Sequence, residues 1–317
     1  MDVVALGELL IDFACVSADA EGYPTMAAHP GGAPANFLAA LAKFGAKTAL
    51  LGKIGTDAFG KLLTGTLNAA GIETRGIIAT DDVFTTLAFV TFDETGNREF
   101  SFSRKPGADT CITFEELDLS LIDEAKVFHF GTLSLTDEPA RTTTYKAVEY
   151  AKNAGKLITY DPNLRKPLWK DLEEARKQLI WGMTKADVVK ISDEEVEFLW
   201  GLGVEEGADY ILKNFDVKLV FVTCGADGCY FKNAVASGKV PSLSGIKVID
   251  TTGAGDIFGG SAVYKLLQTG KAPETLNGEE LREIVTFACT SAGLSTTKPG
   301  GISSVHEYQQ VLERIAK

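Results

Sequence analysis

The sequence predicts a three-layer α/β/α fold, in which helices cover both faces of a mostly parallel central sheet. Three observations support this fold class: short β-rich segments alternate with helix-length amphipathic segments, a small β-rich insertion interrupts the alternation, and long helices close the chain. Such alternation is typical of βαβ units and therefore of a parallel sheet. The chain has 317 residues, of which 45% are hydrophobic, and can bury one large core.

The first 223 residues carry the alternation. Each β-rich run is expected to be a strand of the sheet, and each amphipathic run a helix that leads to the next strand. The predicted strands are Val3–Gly7, Thr48–Lys53, Val127–Phe130, Leu157–Tyr160, Val188–Ile191 and Leu219–Thr223. The predicted helices lie at about 34–44, 57–70, 137–154, 169–184, 193–201 and 205–214.

After residue 223 the pattern changes to short antiparallel edge strands and then to helices. The edge strands are predicted at Cys229–Lys232, Ala234–Val240 and Lys247–Val248, with turns at 226–228 and near Ser237-Gly238. The helices that close the chain are predicted at about 255–268, 278–295 and 304–316.

Residues 74–105 form the insertion. They contain three short β-rich runs, Arg75–Ala79, Thr85–Phe92 and Arg98–Ser103, and 93–97 have the composition of a hairpin turn. A small sheet inserted into an α/β domain indicates a flap over a site, and the alternative is an edge extension of the sheet without a role at the site. We therefore expect one domain, 1–317, with a lid formed by about 13–29 and 74–110.

Charge and composition limit the partners. The net charge of −12 argues against nucleic acid or an anionic membrane, although a local cradle can still bind an anionic nucleotide. No apolar run approaches the length of a membrane span, and the acidic start of the chain does not resemble a signal peptide. Five cysteines without metal-type spacing indicate reduced thiols and a cytoplasmic protein. Three scattered histidines argue against a zinc site or a histidine-based triad.

The most informative segment is Asp250-Thr-Thr-Gly-Ala-Gly-Asp256, which an apolar helical run follows. A glycine-rich entry to a helix exposes backbone N–H groups at its positive end, and a phosphoryl group fits such a site. Asp256 would lie beside this phosphoryl group, where an acid is better suited to take a proton from an attacking hydroxyl. The alternative is a surface turn in which Asp256 only complements the helix dipole. The glycine spacing matches neither a dinucleotide fingerprint nor a P-loop.

Four other segments place polar residues after predicted strands or at a helix start, where open α/β sheets bind ligands. Each also has a purely structural interpretation: an Asx turn for Asp12, a helix start for the segment from Gly31 to Asn36, an ion pair for Arg165, and a capping box for Ser192 with Glu195. Thr223-Cys-Gly-Ala-Asp-Gly228 closes a further strand, and its glycines would let a nucleotide pass close by.

Together these motifs resemble the ribokinase-like carbohydrate kinase family, within it most of all the fructokinases, over essentially the whole chain. The resemblance rests on two signatures, Gly31-Gly-Ala-Pro-Ala-Asn36 and Asp250 to Asp256. The segments that resemble the fructokinase branch are Arg104-Lys-Pro-Gly-Ala-Asp109, His129-Phe-Gly-Thr-Leu-Ser134, Asp161-Pro-Asn-Leu-Arg165 and Lys190-Ile-Ser-Asp-Glu-Glu195.

The resemblance implies transfer of phosphate from ATP to D-fructose, giving fructose 6-phosphate and ADP. It implies Asp256 as the base, an anion hole of Gly253, Ala254 and Gly255, and Arg165 facing the γ-phosphate. The implied sugar-binding residues are Asp12, Gly31, Gly32, Asn36, Phe102, Arg104, Asn163 and Asp256. The implied nucleotide-binding residues are Lys190, Ser192, Thr223, Gly225, Ala226, Gly228, Gly253, Gly255 and Cys289.

Cations and partners are also implied by the resemblance. Glu195 matches a glutamate that orders magnesium-bound water. Asp250, Thr252, Gly300 and Ser304 are similar to a monovalent-cation loop, which points to K⁺. The lid implies a homodimer. Ser192 and Cys289 stand where relatives often have asparagine, which leaves the role of Ser192 and the base selectivity open.

The alternatives within this family are a 2-keto-3-deoxygluconate kinase and an aminoimidazole riboside kinase. A different class is a catalytically inactive sugar-binding regulator. That class predicts loss of Asp256 or of the anion-hole glycines, and the sequence keeps both.

Overall fold

The computed structural model describes residues 1–92 and 98–317, and within them the chain forms strands β1–β14 and helices α1–α10. The strands are β1 (Val3–Leu6), β2 (Leu10–Ala18), β3 (Pro24–Gly31), β4 (Thr48–Gly55), β5 (Ile72–Glu73), β6 (Ile77–Thr80), β7 (Leu87–Phe92), β8 (Arg98–Ser103), β9 (Val127–Gly131), β10 (Leu157–Asp161), β11 (Val188–Ser192), β12 (Leu219–Thr223), β13 (Cys229–Asn233) and β14 (Ser237–Val240). The helices are α1 (Ala33–Lys43), α2 (Ala58–Ala69), α3 (Leu119–Glu124), α4 (Ala140–Asn153), α5 (Leu172–Met183), α6 (Asp193–Trp200), α7 (Val204–Asn214), α8 (Ala254–Thr269), α9 (Gly278–Ser295) and α10 (Tyr308–Ile315).

The main sheet has ten strands in the order β14-β13-β12-β11-β10-β9-β1-β4-β5, with β6 paired to β4 beside this path. All pairs from β12 to β5 are parallel, and only β13 and β14 join in antiparallel register. Right-handed βαβ connections bring the carboxyl ends of the parallel strands to one edge. The predicted parallel sheet is confirmed, and so is its antiparallel edge at β13.

Apolar side chains cover both faces of this sheet. One face buries Phe128, Phe130 and Tyr160 against α4 to α7, and the other buries Phe37 and Leu41 of α1 together with α8 and α9. Helices on both faces give the predicted three-layer architecture. No helix in the two described ranges combines the length and the apolarity that are needed to cross a bilayer.

A separate small sheet has the order β3-β2-β7-β8, with β2 parallel to β7. It is attached to the body at its aromatic face, where the ring of Phe13 stacks on Phe89 and meets Phe59 of α2 edge-on at 5.5 Å. At its base, the Thr85 N–H donates to Asp57 Oδ2 at 2.8 Å. The hairpin turn predicted at 93–97 lies outside the described residues.

Four sequence predictions need correction. The run at 75–79 was expected in the lid, but β6 there pairs with β4 of the main sheet. The turn near Ser237-Gly238 lies earlier, because Asn233 Oδ1 accepts the N–H groups of 235 and 236. The predicted strand Lys247–Val248 is irregular. The last helix begins at Tyr308 rather than near 304, because Glu307 and Gln310 form its capping box.

Candidate active site

The carboxyl ends of the parallel strands and the small sheet enclose a cavity of about 150 Å³, called here the central cavity. Four stretches that are far apart in sequence supply its polar lining, and Val90 and Phe102 reach it from the small sheet. The polar lining residues are Glu8, Asp12, Asn36, Asn163, Arg165, Thr251, Thr252 and Asp256. The fold therefore brings together most of the residues that were predicted for sugar binding.

Asp256 lies in the first turn of α8 and is only 8% exposed. Its Oδ2 accepts a hydrogen bond from Asn36 Nδ2 at 2.9 Å. Burial raises the pKa of the Asp256 carboxyl, while the Asn36 amide and the cations of Lys190 and Arg165 oppose the rise. A buried carboxylate with a raised pKa at the mouth of a cavity has the properties of a general base.

The segment that leads into α8 has the geometry of an anion site. Gly253 adopts a left-handed φ of 73°, and no side chain caps the helix. The Ala254 N–H donates to Thr251 O at 3.2 Å, so this group of the predicted anion hole already has an acceptor. Helix geometry leaves the N–H groups of Gly255 and Asp256 without intrahelical acceptors, which makes them the natural donors to a phosphoryl group.

The turn before α1 explains its two glycines. A Cβ on Gly32, whose φ is 115°, would lie 2.4 Å from the Glu8 carbonyl oxygen. A Cβ on Gly31 would lie 2.3 Å from Asp12 Oδ2, so Gly31 makes room for that carboxylate. Asn36 follows in the first turn of α1; it is 3% exposed, and its Oδ1 has no hydrogen-bond partner.

Asp12 lies on β2 of the small sheet and lines the central cavity. Burial raises the pKa of its carboxyl to about 7; the Arg165 cation opposes this rise, and the negative charges of Asp256 and Asp250 add to it. Asn163, two residues before Arg165, has a φ of 46° and is the one non-glycine residue with positive φ among the described residues. Backbone strain of this kind concentrates at functional sites.

Lys190 connects the central cavity to the entry of α8. A Cβ built on Gly255 would lie 2.9 Å from Lys190 Nζ, so the ammonium group is adjacent to the predicted anion hole. Nζ also donates to both carboxylate oxygens of Asp161, at 3.0 and 3.2 Å. Burial alone would lower the pKa of Lys190, but the carboxylates of Asp161, Glu195 and Asp256 outweigh it and raise the pKa. The surrounding carboxylates therefore favour the charged form of the lysine at this position.

The sequence profile of pfkB family carbohydrate kinases matches residues 1–307. The chain belongs to this family. Fructokinase-1 of Zea mays is 42% identical over 320 residues, which cover 99% of this chain and 98% of that protein. The chain is therefore a sugar kinase with the ribokinase-like fold that its sequence predicted.

Solved structures of other carbohydrate kinases agree with this membership. A fructokinase from Xylella fastidiosa with bound ATP superposes with a TM-score of 0.91 at 30% identity, covering 99% of this chain and 98% of that one. A fructokinase from Vibrio cholerae O395 with fructose, ADP and calcium bound gives a TM-score of 0.86 at 29% identity, with 99% of both chains covered.

In this carbohydrate kinase, Glu195 joins two loops at the site. Its Oε2 accepts the Ser192 N–H at 2.9 Å, and its Oε1 accepts the Leu164 N–H at 2.7 Å. The Ser192 Oγ in turn accepts the Glu195 N–H, which confirms the predicted capping box. Each carboxylate oxygen keeps a second lone pair, so Glu195 fits contact with a metal-bound water better than direct ligation of the metal. The described residues contain no cluster of three metal-ligating acidic, histidine or cysteine side chains.

Three of the four residues predicted for a monovalent cation lie together. Asp250 Oδ1 accepts the N–H and the hydroxyl of Thr252, and Asp250 Oδ2 accepts the Gly300 N–H at 2.9 Å. The fourth residue, Ser304, follows Gly300 by four positions and is buried. Its hydroxyl donates to Gly301 O at 2.8 Å. The Asp250 carboxylate thus orders the loop around Thr252 and Gly300, and a carboxylate suits a site for a hard cation. Binding of a monovalent cation there stays a prediction.

The remaining residues of the predicted nucleotide site lie at the carboxyl end of β12 and on α9. Thr223 ends β12, and Gly225 and Ala226 form the short turn that follows. Gly228 has a φ of 94°, and a Cβ there would lie 2.0 Å from Val240 O, so this glycine allows β13 and β14 to pack closely. Cys289 is 7% exposed, and burial raises the pKa of its thiol to about 12. Contacts of these five residues with a nucleotide stay predictions.

The observed position of Arg104 differs from the predicted contact with the sugar. It was expected to reach the sugar from the lid, but its guanidinium donates to Asp109 Oδ2 twice, to Thr136 Oγ1 and to Leu133 O, at 2.7–2.9 Å. The side chain is buried and is absent from the lining of the central cavity. Its position in the fold is that of a brace between the small sheet and the body.

Two acidic residues at this site received no role from the sequence. Glu8 lines the central cavity and is 3% exposed, and Asp161 pairs with Lys190. The sequence could have indicated both residues, because polar residues at the carboxyl ends of parallel strands commonly line a site. Glu8 follows β1, and Asp161 ends β10 at the same edge of the sheet as Arg165.

Proposed function

We propose that this carbohydrate kinase transfers the γ-phosphoryl group of ATP to the 6-hydroxyl group of D-fructose. The observation that carries the proposal is the position of Asp256, which lies at the uncapped start of α8 and faces the central cavity. A carboxylate there can take the proton of a hydroxyl group, while the adjacent backbone N–H groups hold the phosphoryl group that this hydroxyl attacks. The fructokinases among its relatives support fructose as the acceptor.

Charge stabilisation completes the proposed mechanism. Phosphoryl transfer depends mainly on positioning and on neutralising the charge of the equatorial oxygens. Lys190, beside Gly255, and Arg165, on the wall of the cavity, supply the two positive charges, and both act on the carboxyl of Asp256. The same cations oppose the rise in the pKa of Asp256 and would stabilise the transferring group.

Mg²⁺ and a monovalent cation belong to this proposal. Bound Mg²⁺ supplies charge neutralisation at the phosphate oxygens. Glu195 would contact it through water, and Asp250 would keep Thr252 and the backbone near Gly300 in place for a monovalent cation.

The charges of the central cavity favour a neutral sugar over a sugar acid. Among the described residues, the lining of this cavity contains three carboxyl groups, those of Glu8, Asp12 and Asp256, and one cation, Arg165, while Lys190 lies beside the entry of α8. Arg104, the other candidate partner for a sugar carboxylate, is engaged by Asp109. A 2-keto-3-deoxygluconate carboxylate would enter an acidic site, whereas the hydroxyl groups of fructose are donors that match these acceptors.

The decisive variant is Asp256→Asn, which keeps the size of the side chain and removes the base. We expect kcat to fall by about 10²–10⁴-fold, while the dissociation constant for the sugar changes by only about threefold. A coupled assay of ADP release and calorimetric sugar titration measure the two quantities. Asp216→Asn, an exposed aspartate in the loop before β12 and away from the carboxyl edge of the sheet, is the control. Near-normal turnover of Asp256→Asn would refute the proposed base.

The sugar is tested by ADP release with fructose, mannose, ribose and 2-keto-3-deoxygluconate. We expect the highest kcat/KM with fructose and a much lower value with the sugar acid. Preference for 2-keto-3-deoxygluconate would contradict the charge argument. Binding without turnover of any sugar would identify an inactive regulator instead.

A further inference from the structure

Glu8 is an acidic residue of the central cavity whose position is fixed from three directions. It lies between β1 and β2 at the carboxyl edge of the main sheet. Its carbonyl oxygen is packed against Gly32, where a Cβ would come within 2.4 Å. Its Oε1 accepts the Ala33 N–H at 2.8 Å, at the first residue of α1. The carboxyl group therefore cannot swing away from the cavity without loss of this hydrogen bond.

One of the two carboxylate oxygens, Oε1, has a structural role, because it accepts the N–H at the start of α1. The helix has Gly32 at its N-cap and no acidic residue in its first turn, so Glu8 supplies the negative charge that its positive end favours. The backbone N–H of Glu8 itself is a second donor to this carboxyl group, and no side chain in the described part of the chain donates to it. A serine or an aspartate at the N-cap would satisfy the same N–H without burying a glutamate.

Burial makes the carboxyl group costly unless enough donors satisfy it. The side chain is 3% exposed, and desolvation raises the pKa of its carboxyl to about 7; Asp109 adds to the rise and Arg104 opposes it. Arg104, the cation that opposes this rise, is itself bound to Asp109. Since only backbone groups of the described residues donate to this carboxyl group, a hydroxyl group that enters the central cavity would be a further donor to it.

We propose that Glu8 is a sugar-binding residue, whose Oε2 accepts a hydrogen bond from a hydroxyl group of the sugar other than the reacting one. This inference rests on the proposed function. Asp256 and Asn36 lie at the reacting end, and Glu8 lines the cavity together with Leu10 and Asp12 on β2. Glu8 thus selects sugars that present a hydroxyl group at this point, and it links sugar binding to the helix that carries Asn36.

The test combines Glu8→Gln with fructose analogues that each lack one hydroxyl group: 1-deoxy-, 3-deoxy- and 4-deoxyfructose and 2,5-anhydromannitol. Glutamine keeps an oxygen for the Ala33 N–H, and thermal unfolding checks that α1 is intact. We expect KM for fructose to rise by about 10- to 100-fold, because the amide nitrogen that replaces Oε2 donates a hydrogen bond instead of accepting one, while KM for ATP stays within about twofold.

Coupling between the variant and one analogue identifies the contact. One analogue should bind about 10- to 100-fold more weakly than fructose to the natural enzyme, but only about threefold more weakly to Glu8→Gln. Equal losses in both proteins for every analogue would overturn the proposal and leave Glu8 as a helix cap.

A crystal structure of the natural enzyme with fructose gives a second measurement that needs no variant. It should place a sugar oxygen within about 3.2 Å of Glu8 Oε2, and a nearest sugar oxygen beyond about 4 Å would also overturn the proposal. Turnover of fructose by the natural enzyme tests the proposed function separately, so the two proposals fail by different results.

Discussion

Burial raises the pKa of three carboxyl groups that face the central cavity, those of Glu8, Asp12 and Asp256. Each of them would be more stable in water, and hydrogen bonds from the protein satisfy them only in part. Sites that bind polar ligands commonly reduce the stability of the free protein in this way. The acceptors that recognise a sugar therefore cost free energy of folding until the sugar arrives.

Asp12→Asn should stabilise the protein without ligand. The folded-state pKa of Asp12 is about 7, above its ordinary value of 3.8, so the carboxyl destabilises the fold increasingly as the pH rises from about 4 through 7. We expect the melting temperature of the variant to be higher by about 2–4 °C at pH 8, with a smaller gain at pH 5.5. Scanning calorimetry at both pH values measures this difference.

The exposed Asp19 provides the control, since Asp19→Asn keeps the side-chain oxygen that accepts two turn N–H groups. This variant should not change the melting temperature. A destabilised Asp12→Asn at pH 8 would show that the carboxylate has a stabilising partner in the folded state.

Individual contacts were harder to predict than residue types. The sequence indicated Asp12, Asn36, Arg165 and Asp256, because polar residues after parallel strands and at helix starts meet at one edge of the sheet. Arg104 was misplaced, because its partner Asp109 lies in a short turn that has no periodic signal. Asp109 lies only five residues after Arg104, but the fold also brings Thr136 and the Leu133 carbonyl oxygen to the guanidinium, and no local pattern indicates these contacts.

Helices α1 and α8 cross at a point where only glycine fits. A Cβ on Gly260 would lie 2.2 Å from the Phe37 carbonyl oxygen, whereas one on the adjacent Gly259 would lie 3.4 Å from the Phe37 ring. These two helices carry Asn36 and Asp256, which share a hydrogen bond of 2.9 Å. The close crossing therefore sets the distance between the predicted base and its partner.

Gly260→Ala should force the helices apart and destabilise the protein by about 1–3 kcal/mol. It should also lower kcat, because Asp256 shifts with α8. Gly259→Ala is the matched control, and alanine there gains about 1 kcal/mol of helix propensity against a tolerable contact. Chemical denaturation and steady-state kinetics of both variants test this difference. Equal stability of the two variants would contradict the packing argument.

The elements themselves were largely predictable. The six parallel strands were placed within about two residues, because buried β-rich runs between amphipathic helices leave few alternatives. The misplaced elements lie where one side chain decides the backbone: Asn233 closes the turn before β14, and Glu307 starts α10. Strand β6 was predicted in the wrong sheet, because the sequence of a short strand does not indicate which strand it pairs with.

At the scale of the molecule, the central cavity lies between a ten-stranded sheet with its helices and a four-stranded sheet that contacts the body at its base. The small sheet contributes Val90 and Phe102 to the cavity wall. This arrangement supports the proposal that the small sheet is a lid which closes over the sugar and excludes water, a competing acceptor of the phosphoryl group.

Fructose should therefore slow hydrogen exchange of the small sheet. We expect protection of backbone amides in β2, β3, β7 and β8, and little change in β12 and β13 at the far end of the main sheet, which serve as the internal control. Mass spectrometry with and without fructose measures the exchange. Equal exchange of the small sheet in both states would contradict closure.

The lengths of the outer strands have a consequence for self-association. The main sheet ends in β14, with four residues, on one side and in the two-residue β5 and four-residue β6 on the other. Such short edge strands offer few unpaired backbone N–H and C=O groups to a second molecule. The outer strands of the small sheet, β3 with eight residues and β8 with six, offer more. Backbone pairing between two copies is therefore directed to the sheet beside the cavity, so that the predicted homodimer would form where each subunit admits its sugar.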